Sequence, residues 1–303
     1  TQSAFKKAKS NPRDTPSQTH ILTLNPGLPR GKTTTPSTRL GVVGYGAPIY
    51  IDAHMLEHII KRMKDKNELE TMLGAARFKT YYTAAGNDTE KAVALYRWNT
   101  RLAGALHSQL SYFEVLTRNA MNNALQDWNY KEKGYRDWSL EYQSAQLLYD
   151  MFKGPMGQAR KWARKESQRR RNGHARKNAP LSHDDVIAQL TLGNWSNLLG
   201  EALPDHRPNA KILWKECLHH AFPNAGIEDQ WRESIGKKVE RLTRLRNRVS
   251  HQENLLETNI RGRLNDLLTV LKAIDASYPA WAMTNSQVRR VAQEDPRKSW
   301  TYL

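Results

Sequence analysis

Beyond about residue 50, apolar positions recur at three- and four-residue spacing, the period of one helix face. Met55, Leu56, Ile59, Ile60 and Met63 form the first such run, from about Ile51 onward. The clearest run, Lys91 to Trp128, contains Val93, Leu95, Trp98, Leu102, Leu106, Leu110, Phe113, Leu116, Ala120 and Leu125. It has no proline, and Gly104 is its single glycine. It is longer than an average helix, so one break is expected near Arg101 to Gly104. Tyr142 to Phe152 predicts another helix. Ser182, with Asp184 and Asp185 behind it, predicts a helix start: an oxygen-bearing cap with acids in the first turn. That helix carries Val186, Ile187, Leu190 and Leu192. Ala210 to Phe222, Ile235 to His251 and Leu255 to Ala276 complete the series. Nothing reads as a set of alternating strands and no internal repeat is found, so the expected class is all-α.

Residues 1 to 48 depart from this pattern. They are dominated by Thr, Ser, Pro, Gly and Lys and hold a single acid, Asp14. His20 to Leu24 and Leu40 to Val43 are each compatible with a short strand; the rest reads as a mostly irregular basic arm. The expected organisation is therefore an arm (1–48), a helical domain (49–285) with a basic insertion at about 153–180, and a C-terminal tail (286–303).

Charge adds a partner class. Lys and Arg number 47 against 30 Asp and Glu, a net +17. Such a chain attracts polyanions, nucleic acid first and anionic membrane second. The insertion concentrates this charge: Arg160, Lys161, Arg164, Lys165, Arg169, Arg170, Arg171 and Lys177 make a candidate backbone-tracking RNA surface, with a solvated loop as the alternative. Cys217 is the only cysteine, which excludes an internal disulfide and paired-thiolate zinc sites, and a buried core position is expected for it. Trp98, Trp128, Trp138, Trp195 and Trp214 are expected in the core rather than as stacking platforms. No stretch reaches the ~20 apolar residues of a membrane span. The polar start, at Thr1, lacks a signal-peptide block and reads as trimmed, so a cytoplasmic protein is expected.

The main candidate chemistry is Arg246-Asn247-Arg248-Val249-Ser250-His251 on the last long helix pair. Histidine moves protons near neutral pH, and arginine offers a permanently charged fork to phosphate. Together they suffice for RNA cleavage without metal, with the RNA's own 2'-OH as nucleophile. Five residues along a helix set Arg246 and His251 roughly 140° apart, so they meet only through a long Arg reach, a bend or helix end, or a second subunit. Asn247 and His251 share a face. By spacing alone the same residues also describe an Arg-rich surface helix with a His at its negative end. Glu114-Val115-Leu116-Thr117-Arg118-Asn119-Ala120 is the second constellation. Glu114 and Arg118 can pair at i,i+4, and the group can form a second wall for phosphate. Three other patterns compete. His54-Met55-Leu56-Glu57-His58 matches an inverted zinc-hydrolase helix but lacks an identifiable third ligand. Gly27 to Thr33 resembles a phosphate loop, yet Pro26 occupies its first glycine position and Pro36 opposes the following helix. Gly41 to Gly46 has the wrong order for a dinucleotide fingerprint.

Several segments line up in order: Tyr96-Arg97-Trp98-Asn99; Glu114 to Ala120; Val186-Ile187-Ala188-Gln189-Leu190-Thr191-Leu192-Gly193-Asn194-Trp195; Leu213-Trp214; and Leu245 to Glu253. This succession resembles the Abi-like (abortive infection) family of bacterial HEPN proteins over roughly residues 71–284. The resemblance implies an all-α HEPN bundle and a toxin-like, metal-independent endoribonuclease used in phage defence. It implies catalytic roles for Arg246, His251 and Asn247, supported by Glu114, Arg118 and Asn119, and products ending in 2',3'-cyclic phosphate and 5'-OH. It further implies no cofactor, a homodimer with facing motifs, an antitoxin in toxin-antitoxin settings, and for some relatives a dedicated non-coding RNA. The chain departs from the family at Gln252, where a second His is frequent, and at Asn254, where Pro is frequent.

Overall fold

The computed structural model describes residues 65–300, together with the backbone of two strands, β1 (Leu40–Val42) and β2 (Ile49–Ile51). The strands pair antiparallel with Leu40 opposite Ile51. Thr1–His58 and Ile59–Leu303 form separate units. The proposed strand at His20–Leu24, the run Met55–Met63 and the His54/His58 pattern lie outside the described residues, as does the rest of the arm.

Among the described residues the second unit is all-α. Two short helices, α1 (Lys66–Leu73) and α2 (Ala75–Ala84), lead into α3 (Thr89–Lys133), of 45 residues and roughly 68 Å long. Asp88 caps its start by accepting from the Lys91 N–H at 3.0 Å, and left-handed Gly134 ends it. The break expected near Arg101 to Gly104 does not occur. A side chain at Gly104 would meet nothing within 4 Å, so the residue faces outward and needs no special backbone. The buried stripe Leu95, Trp98, Leu102, Leu106, Leu110, Phe113 runs through unbroken.

The stripe is continuous because α3 is the spine of the molecule. It touches α2, α6 (Leu192–Asn197), α8 (Asp229–Ser250), α9 (Ile260–Ile274), α10 (Tyr278–Met283) and α11 (Val288–Gln293). Trp98 Nε1 donates to the Val291 carbonyl at 2.8 Å, and Gln109 donates to the Ala282 carbonyl. Val288 and Val291 are buried, so the segment from 286, set apart as a tail in the sequence, joins the helical body.

The rest of the core gathers on the α4 side. Helix α4 (Gln146–Arg169) runs beyond Phe152 and through Pro155 into the basic insertion. Leu148, Met151 and Phe152 before the proline, and Met156, Ala159 and Ala163 after it, are all buried; that burial outweighs one missing backbone bond. Trp138, Phe152 and Trp195 meet at ring distances near 6 Å. The helix expected from Ser182 is two, α5 (His183–Ile187) and α6, because Thr191 starts a second capping box with Asn194. Helix α7 (Arg207–Glu216) passes into a 3-10 turn, Leu218–Ala221. Cys217 is buried, and that burial, with Asp127 and Glu216 nearby, pushes its thiol up to about 12. All five named tryptophans are buried. Among the described residues, no helix is long and apolar enough to cross a membrane.

Candidate functional site

Helices α3 and α8 bring the two polar constellations together. Arg246 Nε lies 3.4 Å from Glu114 Oε2, and both side chains are half-buried, 33% and 21% exposed. The pairing of Glu114 with Arg118 drawn from spacing does not form. Arg118 instead reaches Asn119 Oδ1 at 3.5 Å, and Asn119 is exposed. The nearest approach of the pair is through Arg246 Nε, and the arginine side chain keeps a third of its surface exposed.

The end of α8 is built by its backbone. Gln252 takes the left-handed conformation at φ 55°; its N–H bonds the Val249 carbonyl at 3.2 Å, and the Glu253 N–H bonds that of Arg248 at 2.9 Å. These two bonds are the glycine-type helix stop, made here with a glutamine. His251 is the cap residue and is exposed, as is Asn247. Buried Asn99 then accepts from the Leu255 N–H at 2.7 Å, tying the chain after the motif to α3. Glu114 and Asn99 thus anchor α8 and its exit antiparallel to α3.

No bend separates Arg246 from His251, since α8 stays helical to Ser250. Arg246 turns toward α3, while Asn247 and His251 face outward. On an ideal helix the five-residue spacing sets the two Cα positions roughly 140° apart, and His251 stands at the end of α8 as its cap.

Two neighbouring features were not drawn from the sequence. His107 is exposed on α3, seven residues before Glu114 and on the same stripe, between the two anchors. The heptad spacing was its signal. Tyr112, Val115 and Trp281 form an exposed apolar patch beside the motif, with Tyr112 and Trp281 edge-to-face at 5.1 Å. Arg241, Arg244 and Arg248 of α8, with Arg263 of α9, line a cleft of about 360 Å³. Carboxylates hold several of them: Asp266 accepts from Arg241 through both oxygens and lies 2.9 Å from Arg263, and Arg244 pairs with Glu240.

The basic insertion divides into inward and outward groups. Arg160 donates to the carbonyls of Ser139 and Leu140 at 2.7 and 2.9 Å, and burial pulls its pKa below the usual value. Arg164 pairs with Glu141 at 2.7 Å, and Lys177 donates to Asn172 at 2.6 Å. Arg170 and Arg176 grip Asp185. Burial alone would raise the Asp185 carboxyl, but bonds from Ser182, Arg176 and Arg170 outweigh it and hold the carboxyl well below the usual range. Lys161, Lys165, Arg169 and Arg171 remain outward, with Lys165 Nζ 4.8 Å from the half-exposed Trp162 ring.

A buried polar knot lies under this side. Asn122 Oδ1 accepts from Trp138 Nε1 and meets His183 Nε2, each at 3.0 Å; His183 Nδ1 meets Ser139 Oγ at 2.8 Å. Burial lowers the His183 pKa and favours the neutral ring. Among the described residues, no three His, Cys, Asp or Glu side chains cluster as ligands would.

In comparison with known proteins, a family model described as Abi-like protein matches residues 60–257. No curated protein and no solved structure matches the chain.

Proposed function

Because the chain belongs to the Abi-like protein family, which points to abortive infection of phage-infected cells, we propose that it is a HEPN-type endoribonuclease cutting RNA without a metal ion. The observation that carries this reading is the Glu114–Arg246 pair, which places a carboxylate beside a guanidinium that is still partly exposed. Negative charge builds on the phosphoryl oxygens as the 2'-oxygen bonds to phosphorus and the bond to the 5'-oxygen breaks. A fixed cationic donor stabilises that charge most. His251 carries a proton, from the 2'-OH or to the departing 5'-oxygen, and His107 is a titratable group on the same face for the other transfer. Asn247 orients the substrate. The products are a 2',3'-cyclic phosphate and a 5'-OH.

Five residues along an ideal helix stand roughly 140° apart, and on that ground the active unit proposed is a homodimer in which Arg246 of one subunit works with His251 of the other. The second copy covers Tyr112, Val115 and Trp281, an apolar patch at the edge of the motif. RNA runs over the outward residues Lys161, Lys165, Arg169 and Arg171, with Trp162 to stack a base.

The test is cleavage of total RNA by purified protein in EDTA, with end-group analysis. Arg246→Ala and His251→Ala are each expected to slow cleavage about 100-fold or more. Activity lost on chelation overturns the metal-free mechanism. Both variants protecting cells fully against phage favours a non-catalytic RNA-binding scaffold, one that assembles with a non-coding RNA.

A further inference from the structure

A cavity of about 660 Å³ opens between the first turns of α9 and α11, with Arg261, Arg289 and Lys298 on its walls. That volume lies within the ~300–1,000 Å³ of small-ligand sites. Its floor is apolar, with Leu264 and Val288 buried beneath it. Asn265 and Gln293 stand at its rim, and both are exposed.

The charges here are sorted by place rather than by sequence. Arg263, Arg290 and Arg297 each hold a carboxylate, on Asp266 at 2.9 Å, Glu294 at 2.6 Å and Asp295 at 2.7 Å. Arg261 and Arg289, two and one residues away from such neighbours, have no carboxylate partner among the described residues. Lys298 donates only to the Gln293 carbonyl, at 3.3 Å. No acid among the described residues lines the cavity. The first turn of α9 carries arginines and no acid, against the preference set by the helix dipole. Two arginines without a carboxylate partner among the described residues, together with Lys298, whose charge also acts on Asp295, therefore face an apolar floor and await an anion with an organic body.

We propose that this cavity binds a nucleotide phosphate. Arg261, Arg289 and Lys298 hold the phosphate, the apolar floor takes one face of the base, and the amides of Asn265 and Gln293 meet the base edge or ribose. The site shares no residue with the cleavage chemistry, so the two readings fail separately. The phosphate belongs to a link of an RNA strand or to a free nucleotide, and two probes distinguish them: a labelled short single-stranded RNA and AMP.

The experiment titrates both probes into the full-length protein, into Arg261→Gln/Arg289→Gln, and into a charge-matched control, Arg77→Gln/Lys79→Gln. The two cavity arginines are exposed, and equal helical circular dichroism confirms folding. The expected result is an affinity about tenfold weaker in the cavity variant than in the control, with a salt slope shallower by about 0.7 for each RNA phosphate that the variant no longer neutralises. Weaker binding of RNA alone assigns a strand link; weaker binding of AMP assigns a free nucleotide. Equal binding of both probes by variant and control, or binding of neither by the unsubstituted protein, overturns the proposal. Loss of cleavage in Arg246→Ala with this binding intact concerns the active site only.

Discussion

Glu114→Gln removes the charge that holds Arg246 while keeping the side-chain shape. At 3.4 Å and an effective dielectric constant of ~20, the raw attraction is about 5 kcal/mol. Both groups remain partly in water, so desolvation and side-chain entropy cancel most of it, leaving about 0.5–1 kcal/mol of stability. For a domain of this size the melting temperature falls by about 1–4 °C. Catalysis loses more than stability does. A loosened donor costs about tenfold in cleavage rate, whereas full removal in Arg246→Ala costs about 100-fold or more. The double variant should be no slower than Arg246→Ala alone, because Glu114 acts only through that arginine. Melting curves and single-turnover cleavage of one labelled RNA measure both effects. A Glu114→Gln enzyme that melts lower but cuts at the parent rate refutes the reasoning and leaves the pair a structural bridge.

Three further outcomes follow from the same geometry. Gln252→Gly relieves a left-handed residue at the stop of α8 and should raise stability by about 0.5 kcal/mol; a lower melting temperature would show that the glutamine side chain holds the turn. His183 is buried with a lowered pKa, so its contribution to stability is full above its unfolded pKa of about 6.5 and lost as pH falls below that value. Melting temperatures between pH 7.5 and 5.5 should drop, and His183→Gln should flatten the slope; an unchanged slope contradicts this. Asp185→Asn frees Arg170 and Arg176 and should speed tryptic cleavage within residues 169–177, whereas parent-like digestion means that the insertion is held by other contacts.

How far these elements were legible depended on how local their causes are. The helical stripe of α3 is a property of consecutive residues, so the class and the buried tryptophans could be read directly. Continuity through Gly104 could not, because it comes from the partners packed along the spine. Pro155 lies inside α4, where burial on both sides of it outweighs the local tendency of proline to end a helix. Glu114 shows the limit most clearly: spacing offered Arg118, four residues away, but the carboxylate faces Arg246, 132 positions on. A one-dimensional pattern does not show a partner on another helix. In the insertion, composition offered Arg160 and Arg170 as RNA contacts, whereas they turn inward to carbonyls and a carboxylate. The order of the motif segments told more than any one motif. Asn99 and Glu114, which anchor the end of α8, both lie within them.

The claim that Arg246 and His251 work across two subunits is tested most directly by mixing Arg246→Ala and His251→Ala proteins, each inactive alone, under conditions that exchange subunits. Mixed dimers hold one intact arginine–histidine pair, so activity should return to about a quarter of the unsubstituted level at equal mixing. No recovery despite demonstrated exchange, or a fully active monomer, would contradict the account.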